Sequence, residues 1–200
     1  MSRLITAIIL AAGESKRMGR LKQLMPFRGK TILEHSIDNI LASKVSEVIV
    51  VLGHEAQMVM PKVANRPVRI AVNSAYRKGM STSIASGLGL VGDKVGAVML
   101  ALADQPLIDC QIINRIVDEF DSHNHGIVIP VYRGRRGHPI IFDIRYRTEL
   151  LQLTGDTGGR AIIGRHPEDV LEVDVGSESI YIDIDNLESY NLETSKTGHI

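Results

Sequence analysis

The chain has 200 residues, of which 44% are apolar, a length and composition that suit one α/β domain with a substantial core. Its 23 basic and 23 acidic residues cancel, which argues against broad electrostatic attraction to nucleic acid or to a membrane surface. The single cysteine, Cys110, excludes an internal disulfide and a multi-cysteine metal site, and it fits a reducing cytoplasm. We expect a cytoplasmic protein without a signal peptide or a membrane span, folded as one domain over residues 1–192 with a disordered polar tail over 193–200.

Short, β-branched and nearly continuous apolar runs predict the first five strands, as is typical of strands covered on both faces of a parallel sheet. These runs are Ile5–Leu10, Val48–Leu52, Val68–Val72, Ala97–Leu102 and Ile127–Val131. Four helical patterns follow the first four strands. The first begins with a capping box of Thr31 and Glu34 and ends near Ala42, and the fourth begins after the N-cap Asp109 and ends near Ser122. The second and third are Glu55–Val63 and Ser81–Leu90. The alternation predicts an open, mostly parallel sheet with helices packed on it.

The regular alternation of strands and helices ends after residue 132, where an Arg- and Gly-rich loop, Arg133–Gly137, follows the fifth strand. The remaining predicted elements are a strand, a helix, a glycine turn with a short helix, and two late strands: His138–Phe142, Arg145–Leu153, Gly155–Gly159, Val170–Val175 and Ile180–Ile184.

The first strand leads into a loop that carries four basic residues and two glycines. The sequence there reads Leu10-Ala11-Ala12-Gly13-Glu14-Ser15-Lys16-Arg17-Met18-Gly19-Arg20-Leu21-Lys22. Small residues at a strand end let a ligand lie against the backbone, and N–H groups among basic side chains form a nest for a polyanion such as a triphosphate. The alternative is a βα turn with a solvated basic edge, and composition alone does not separate the two. The string matches neither the Walker P-loop nor G-x-G-x-x-G.

Glycine or a polar residue follows three of the predicted strands at their carboxyl ends, which is where open α/β sheets bind ligands. These residues are Gly13, Asn73 and Asp104. Asp104 is either a turn residue or a ligand for Mg²⁺ or Mn²⁺, because such an ion takes one or two carboxylates together with substrate phosphates. Asp183 or Asp185, on one face of the last predicted strand, would supply the second carboxylate; the alternative places both on the solvent face of an edge strand.

Three further segments combine glycine with polar residues. Asn73 and the hydroxyls of Ser81–Ser83 frame a helix start that suits a nucleotide, with Asn73 reading a pyrimidine, unless Ser81 is a plain N-cap. Gly155–Arg160 is either a turn with an N-cap or part of the site for a second substrate. His138, between Gly137 and Pro139, is by itself typical of a turn.

Six ordered motifs together resemble the molybdenum-cofactor nucleotidyltransferases, nearest the molybdopterin cytidylyltransferases. They are Leu10–Lys22, Asn73 with Gly79–Ser83 and Gly87-Leu88, Ala103–Pro106, Gly137–Pro139, Gly155–Arg160 and Ile182–Asp185. The resemblance implies a three-layer α/β/α, Rossmann-like fold with a mixed, mostly parallel sheet, the nucleotide-diphospho-sugar transferase fold. Relatives that use GTP begin Leu-Ala-Gly-Gly, whereas Ala12 precedes Gly13 here. In the family this change goes with CTP, because the methyl group narrows the space for a purine.

The reaction that the resemblance implies is transfer of CMP from CTP to the phosphate of Mo-molybdopterin, with pyrophosphate as the leaving group. Lys22 would hold the α-phosphate or the attacking phosphate, Arg17 the β- and γ-phosphates, and Asp104 the Mg²⁺. The residues implied on the pterin side are His138, Asp156 and Arg160. The implied nucleotide-binding residues are Leu10, Ala11, Ala12, Gly13, Ser15, Arg17, Lys22, Asn73, Ser81 and Ser83.

Two alternatives stay open. In the first, the chain is a nucleotidyltransferase that uses GTP or acts on another phosphorylated acceptor, such as a sugar phosphate or methylerythritol phosphate. The Gly-His-Pro and Gly-Asp-x-Gly-Gly-Arg strings argue against such an acceptor. Otherwise it is a non-catalytic factor that delivers the finished cofactor to a molybdenum hydroxylase. The expected partners are therefore CTP, Mo-molybdopterin and a molybdenum hydroxylase, with neither nucleic acid nor membrane.

Overall fold

A computed structural model of the protein describes residues 3–196. Its strands are β1 (Ile5–Ala11), β2 (Pro26–Phe27), β3 (Lys30–Thr31), β4 (Glu47–Leu52), β5 (Arg69–Val72), β6 (Ala97–Leu102), β7 (Ile127–Tyr132), β8 (Arg135–Arg136), β9 (Ile140–Asp143) and β10 (Val170–Asp174). Its α-helices are α1 (Ile32–Leu41), α2 (Ala56–Val63), α3 (Met80–Leu88), α4 (Cys110–Ser122), α5 (Arg147–Leu151), α6 (Arg160–Arg165) and α7 (Leu187–Ser195).

The main sheet has the order β5-β4-β1-β6-β9-β7-β10, with β8 paired to β7 in a short hairpin. β1 is parallel to both β4 and β6, so that Ile8 lies opposite Ile49 on one side and Leu100 on the other. β9 is antiparallel to its neighbours β6 and β7, whereas β7 and β10 are parallel to each other. The prediction of a mixed, mostly parallel sheet is confirmed.

Helices cover both faces of this sheet. Because successive side chains of a strand point to opposite faces, Ile5 and Ile9 of β1 join a core with Ile37 of α1 and Phe120 of α4. Ile8 points the other way, into a second core that includes residues from α3, α5 and α6. The three-layer α/β/α arrangement is confirmed, and both cores are built mainly from Ile, Val and Leu.

Two predicted helix caps are present with the expected hydrogen bonds. The Glu34 N–H donates to the Thr31 hydroxyl at 3.3 Å, and the Thr31 N–H donates back to the Glu34 carboxylate at 2.8 Å. Asp109 accepts from the N–H groups of Gln111 and Ile112, each at 2.9 Å. Predicted and observed ends of most elements differ by one or two residues, within the usual uncertainty of a boundary.

The predicted strand Ile180–Ile184 is wrong. Glu178–Tyr181 is a 3₁₀ helix, and irregular backbone follows it. The carbonyl of Ile180 accepts from the His138 N–H at 2.9 Å and from Gln105 Nε2 at 3.2 Å, and the Ile184 N–H donates to the Asp104 carbonyl at 2.9 Å. The backbone groups of this segment thus pair with loops rather than with a neighbouring strand. The alternating sequence carries no information about such partners.

The end of the chain also differs from the prediction. α7 continues to Ser195 and leaves Glu193 only 4% exposed, so an irregular tail that begins at Glu193 is wrong. Residues 197–200 lie outside the described part of the chain. Within residues 3–196, none of the helices combines the length and the apolarity that crossing a bilayer requires.

Candidate active site

A cavity of about 550 Å³ opens where β1 and β6 end, the edge at which the sequence predicts a ligand. Its walls come from the loop after β1, the start of α3, the loop after β6, the β8 hairpin, the glycine turn before α6 and the segment before α7. The predicted site residues that line it are Leu10, Ala11, Ala12, Gly13, Arg17, Lys22, Ser83, Asp104, His138, Asp156, Arg160, Asp183 and Asp185.

A buried glutamine shapes the loop after β1. Gln23 is 2% exposed, and its Nε2 donates to the carbonyls of Ala11 and Gly13, both at 3.1 Å. The Ser15 hydroxyl donates to Gln23 Oε1 and accepts the Lys22 N–H, each at 3.2 Å. Ser15 therefore braces the loop from within. Sequence reasoning missed Gln23, although it directly follows the last basic residue of the motif.

The two cations predicted to hold phosphates are each paired with a carboxylate. Lys22 Nζ donates to Asp104, and these side chains are only 19% and 14% exposed. Arg17 contacts Asp185 at 2.5 Å, and its own side chain remains 74% exposed. A triphosphate that enters the cavity would replace the carboxylates as the partner of these cations, and the carboxylates would then be available to bind a metal ion.

Asp183 completes a group of three neighbouring carboxylates. Burial raises the pKa of Asp183, and the negative charges of Asp104 and Asp185 raise it further. Gln105 Nε2 donates to Asp183 at 2.8 Å, and the fully buried Ile184 separates Asp183 from Asp185. Among residues 3–196, no group of three or more His, Cys, Asp or Glu side chains is arranged to hold a metal ion. A divalent ion here would therefore depend on one or two of these carboxylates together with substrate phosphates.

The other end of the cavity holds the residues implied for a second substrate. Burial lowers the pKa of His138 to about 4, with a further contribution from the positive charge of Arg160, so the imidazole is neutral at neutral pH. Asp156 lines the cavity and also accepts the Met80 N–H at 2.8 Å, which caps α3. α3 begins at Met80 with Gly79 as its N-cap, so the alternative that Ser81 is a plain N-cap is wrong.

Within the described residues, three predicted nucleotide-binding residues do not line the cavity: Ser15, Asn73 and Ser81. Asn73 is 3% exposed, and its Nδ2 donates to the hydroxyls of Thr82 and Ser83 at 2.9 and 3.0 Å. Its side-chain oxygen Oδ1 accepts the Ala75 N–H at 2.9 Å. The groups that were expected to read a pyrimidine are therefore used inside the protein, where they hold the strand end to α3.

Sequence reasoning missed several residues in the cavity wall: Gln105, Arg135, Arg136 and Tyr181. Gln105 follows Asp104 directly, and the two arginines belong to the Arg-Gly loop that was noted without a role. Tyr181 carried no signal of its own, because it reaches the site through the mispredicted final segment.

Comparison with known proteins now identifies the family. Residues 7–170 match the model of the MobA-like NTP transferase domain. The chain belongs to this family. It is 29% identical over 189 residues to the molybdenum cofactor cytidylyltransferase of Escherichia coli (strain K12), with 93% of each protein covered. It is 34% identical over 194 residues to the nicotine blue oxidoreductase of Paenarthrobacter nicotinovorans, with 92% of this chain and 93% of that protein covered.

Solved structures match the whole described fold. The crystal structure of Rv0371c from Mycobacterium tuberculosis H37Rv has a TM-score of 0.88 and 29% identity, covering 98% of this chain and 99% of that one. A crystal structure of the same protein in complex with manganese has a TM-score of 0.82 and 28% identity, covering 96% and 98%. The predicted nucleotide-diphospho-sugar transferase fold and the nucleotidyltransferase class are confirmed.

Proposed function

We propose that this chain transfers CMP from CTP to the phosphate of Mo-molybdopterin, forming molybdopterin cytosine dinucleotide and releasing pyrophosphate. The observation that carries the proposal is the convergence of the cations Lys22 and Arg17 with the carboxylates of Asp104 and Asp183 in one cavity. This combination suits a metal-bound nucleoside triphosphate. The name of the Escherichia coli relative supports cytidylyl transfer in particular.

The transfer forms a bond between an acceptor phosphate oxygen and the α-phosphorus of CTP and breaks the bond to the oxygen that leaves with pyrophosphate. The attacking oxygen is already an anion, so the protein must bring two polyanions together rather than remove a proton. Lys22 would turn from Asp104 to the α-phosphate, where its charge offsets the negative charge that grows during attack. Arg17, on the exposed side, would hold the β- and γ-phosphates.

Asp104 and Asp183 are the side chains that would hold a divalent ion. The donor set fits, because carboxylate oxygens are the ligands that Mg²⁺ and Mn²⁺ prefer, and burial beside Asp104 already disfavours the charge on Asp183. When bound, such an ion would supply Lewis-acid neutralisation of phosphate oxygens. The manganese complex of Rv0371c supports an ion of this class.

Ala12 supports the choice of CTP over GTP. Ala12 lines the cavity and is 6% exposed, and its carbonyl accepts the His54 N–H at 3.1 Å. A Cβ placed on Gly53 would lie 2.7 Å from the Ala12 methyl group, so the methyl sits tightly against the end of β4. We expect this methyl group to reduce the space that the cavity offers to a purine.

Pyrophosphate and dinucleotide formation test the proposal directly. Purified protein is incubated with Mg²⁺ and each nucleoside triphosphate, with and without Mo-molybdopterin. We expect pyrophosphate release to need both CTP and Mo-molybdopterin, and GTP to be about tenfold or more less efficient. Equal use of GTP would indicate a guanylyltransferase, and turnover with a sugar phosphate alone would indicate a different acceptor.

Two further outcomes would overturn the proposal. Binding of Mo-molybdopterin without pyrophosphate release would favour a delivery factor for a molybdenum hydroxylase, the class of enzyme that we propose receives the product. One relative is named for an oxidoreductase activity, so a parallel arm supplies nicotine blue with a reduced nicotinamide nucleotide and no nucleoside triphosphate. Turnover in that arm alone would replace the transferase proposal.

The single cysteine supports a cytoplasmic site of action.

A further inference from the structure

An arginine stacked on a tyrosine lines the cavity. The guanidinium carbon of Arg135 lies 4.1 Å from the centre of the Tyr181 ring, and both residues line the cavity. A guanidinium that stacks uses its flat face, so its N–H groups point outward in the plane and can bind a ligand. The stack therefore fixes the arginine without using its hydrogen-bond donors.

The charge at this stack is not neutralised by the protein. Within residues 3–196, neither Arg135 nor Arg160, which lines the same cavity, forms a salt bridge. The neighbouring Arg136 contacts Glu172 at 2.6 Å, and Lys22 is paired with Asp104. The guanidinium groups of Arg135 and Arg160, which both line the cavity, are thus left for an anion that the protein does not supply.

A close approach of two backbone segments sets the position of the stack. A Cβ on Gly137 would lie 2.3 Å from the carbonyl oxygen of Ile180, so only glycine allows this approach. The His138 N–H donates to the same carbonyl at 2.9 Å, and Ile180 is fully buried. Arg135 precedes Gly137 by two residues and Tyr181 follows Ile180, so this contact brings the guanidinium to the ring.

We propose that Arg135, stacked on Tyr181, forms with Arg160 the subsite that binds the phosphate monoester of the second substrate. Guanidinium N–H groups match two oxygens of a phosphate, and the stack holds Arg135 ready for that contact. The inference rests on the proposed function, because it assigns the acceptor half of the same cavity. Arg135 here is a specificity-determining residue for the acceptor and not for the nucleotide.

Matched variants separate this subsite from a general effect of charge. Arg135→Gln removes one positive charge from the cavity lining. The control, Arg133→Gln, removes one positive charge from the same hairpin but outside the described cavity, where the Arg133 guanidinium lies 5.2 Å over the Tyr132 ring. At saturating CTP we expect Arg135→Gln to raise the KM for Mo-molybdopterin about tenfold or more, since hydrogen bonds to charged groups are strong. Arg133→Gln should match the wild type. Calorimetric titration with CTP and Mg²⁺ should give affinities within about twofold for all three proteins.

Changes at Tyr181 test the stack itself. Tyr181→Phe keeps the ring and should leave the KM for Mo-molybdopterin unchanged, whereas Tyr181→Leu should raise it about threefold, as expected for an exposed cation–π contact. Equal effects of the two substitutions would assign the contribution to the hydroxyl and overturn the stacking argument. If Arg135→Gln does not fold, as judged by thermal unfolding, the Tyr181 pair carries the same test.

Failure of the subsite and failure of the proposed function give different results. An unchanged acceptor KM in folded Arg135→Gln, or an equal loss of CTP affinity, overturns the subsite while wild-type pyrophosphate release keeps the function. If the wild type releases no pyrophosphate, anaerobic ultrafiltration with Mo-molybdopterin compares binding by the wild type and Arg135→Gln directly. Weaker binding by the variant then supports the subsite, and equal binding overturns it.

Discussion

Lys22→Met removes a cation from an ion pair that the fold largely buries. A lysine in a basic loop is expected to be exposed and to contribute little to stability, but the side chains of Lys22 and its partner Asp104 are only 19% and 14% exposed. Methionine keeps the length of the side chain and removes the charge. Asp104 then loses its cation while Asp183 and Asp185 remain close by.

The magnitude follows from this burial. Breaking a fully buried pair costs about 3–5 kcal/mol, and the residual exposure of both side chains reduces our expectation to about 2 kcal/mol. For a chain of this length, 2 kcal/mol lowers the Tm by about 4–8 °C. Turnover should fall about 10²–10³-fold, the usual effect of losing one preorganised group that faces developing negative charge.

Thermal unfolding and pyrophosphate release measure the two effects separately. The control is Lys30→Met, because Lys30 is 52% exposed and pairs with Asp38 at 2.7 Å; it should lose at most about 1 kcal/mol and keep full turnover. The double variant Lys22→Met/Asp104→Asn should regain stability but not turnover, since no buried charge is left alone. A wild-type Tm together with turnover within a few-fold of wild type in Lys22→Met would refute the reasoning. Lost stability with full turnover would make Lys22 a structural residue.

Substitutions of Asp104, Ala12 and His138 test the metal site, the selection of the base and the pH dependence of stability. Asp104→Asn should abolish Mg²⁺-dependent turnover, because the amide keeps the shape of the turn but lacks the charge that holds the ion. Electron paramagnetic resonance of bound Mn²⁺ measures the metal affinity, and an unchanged affinity for Mn²⁺ would contradict the prediction. Ala12→Gly should raise the ratio of kcat/KM for GTP to kcat/KM for CTP about tenfold without reversing the preference, because a methyl-sized contact contributes ~1–3 kcal/mol to discrimination. An unchanged ratio would place base selection at other residues. His138→Gln should remove a pH dependence of stability. Since the pKa of His138 falls from 6.5 to about 4 on folding, the unfolded wild type binds a proton in that window and the folded state does not. Wild-type stability should therefore drop by up to about 3 kcal/mol more than that of the variant as the pH falls from 6.5 to 4. Urea unfolding at both pH values measures the difference, and equal losses would indicate a solvated imidazole.

The sequence by itself determined the features that depend on residues close together in the chain. Continuous β-branched runs placed the parallel strands, and the hydrogen bonds of Thr31 and Asp109 could be predicted because a cap acts within three residues of itself. The position of the cavity also followed, because ligands bind where parallel strands end. Gly13 and Asp104, predicted to meet there, line the same cavity.

The tertiary structure decided which polar groups are free for a ligand and which hold the protein together. Asn73 follows a strand as the rule requires, yet its amide is taken by the hydroxyls of α3. Asp183 reaches the site on a segment that Gln105 holds in place by hydrogen bonds, and Arg135 stacks on Tyr181, 46 residues away in the chain. Each of these outcomes depends on a partner far away in the chain. Buried polar groups must find hydrogen bonds somewhere in the folded protein, and a local pattern cannot show where.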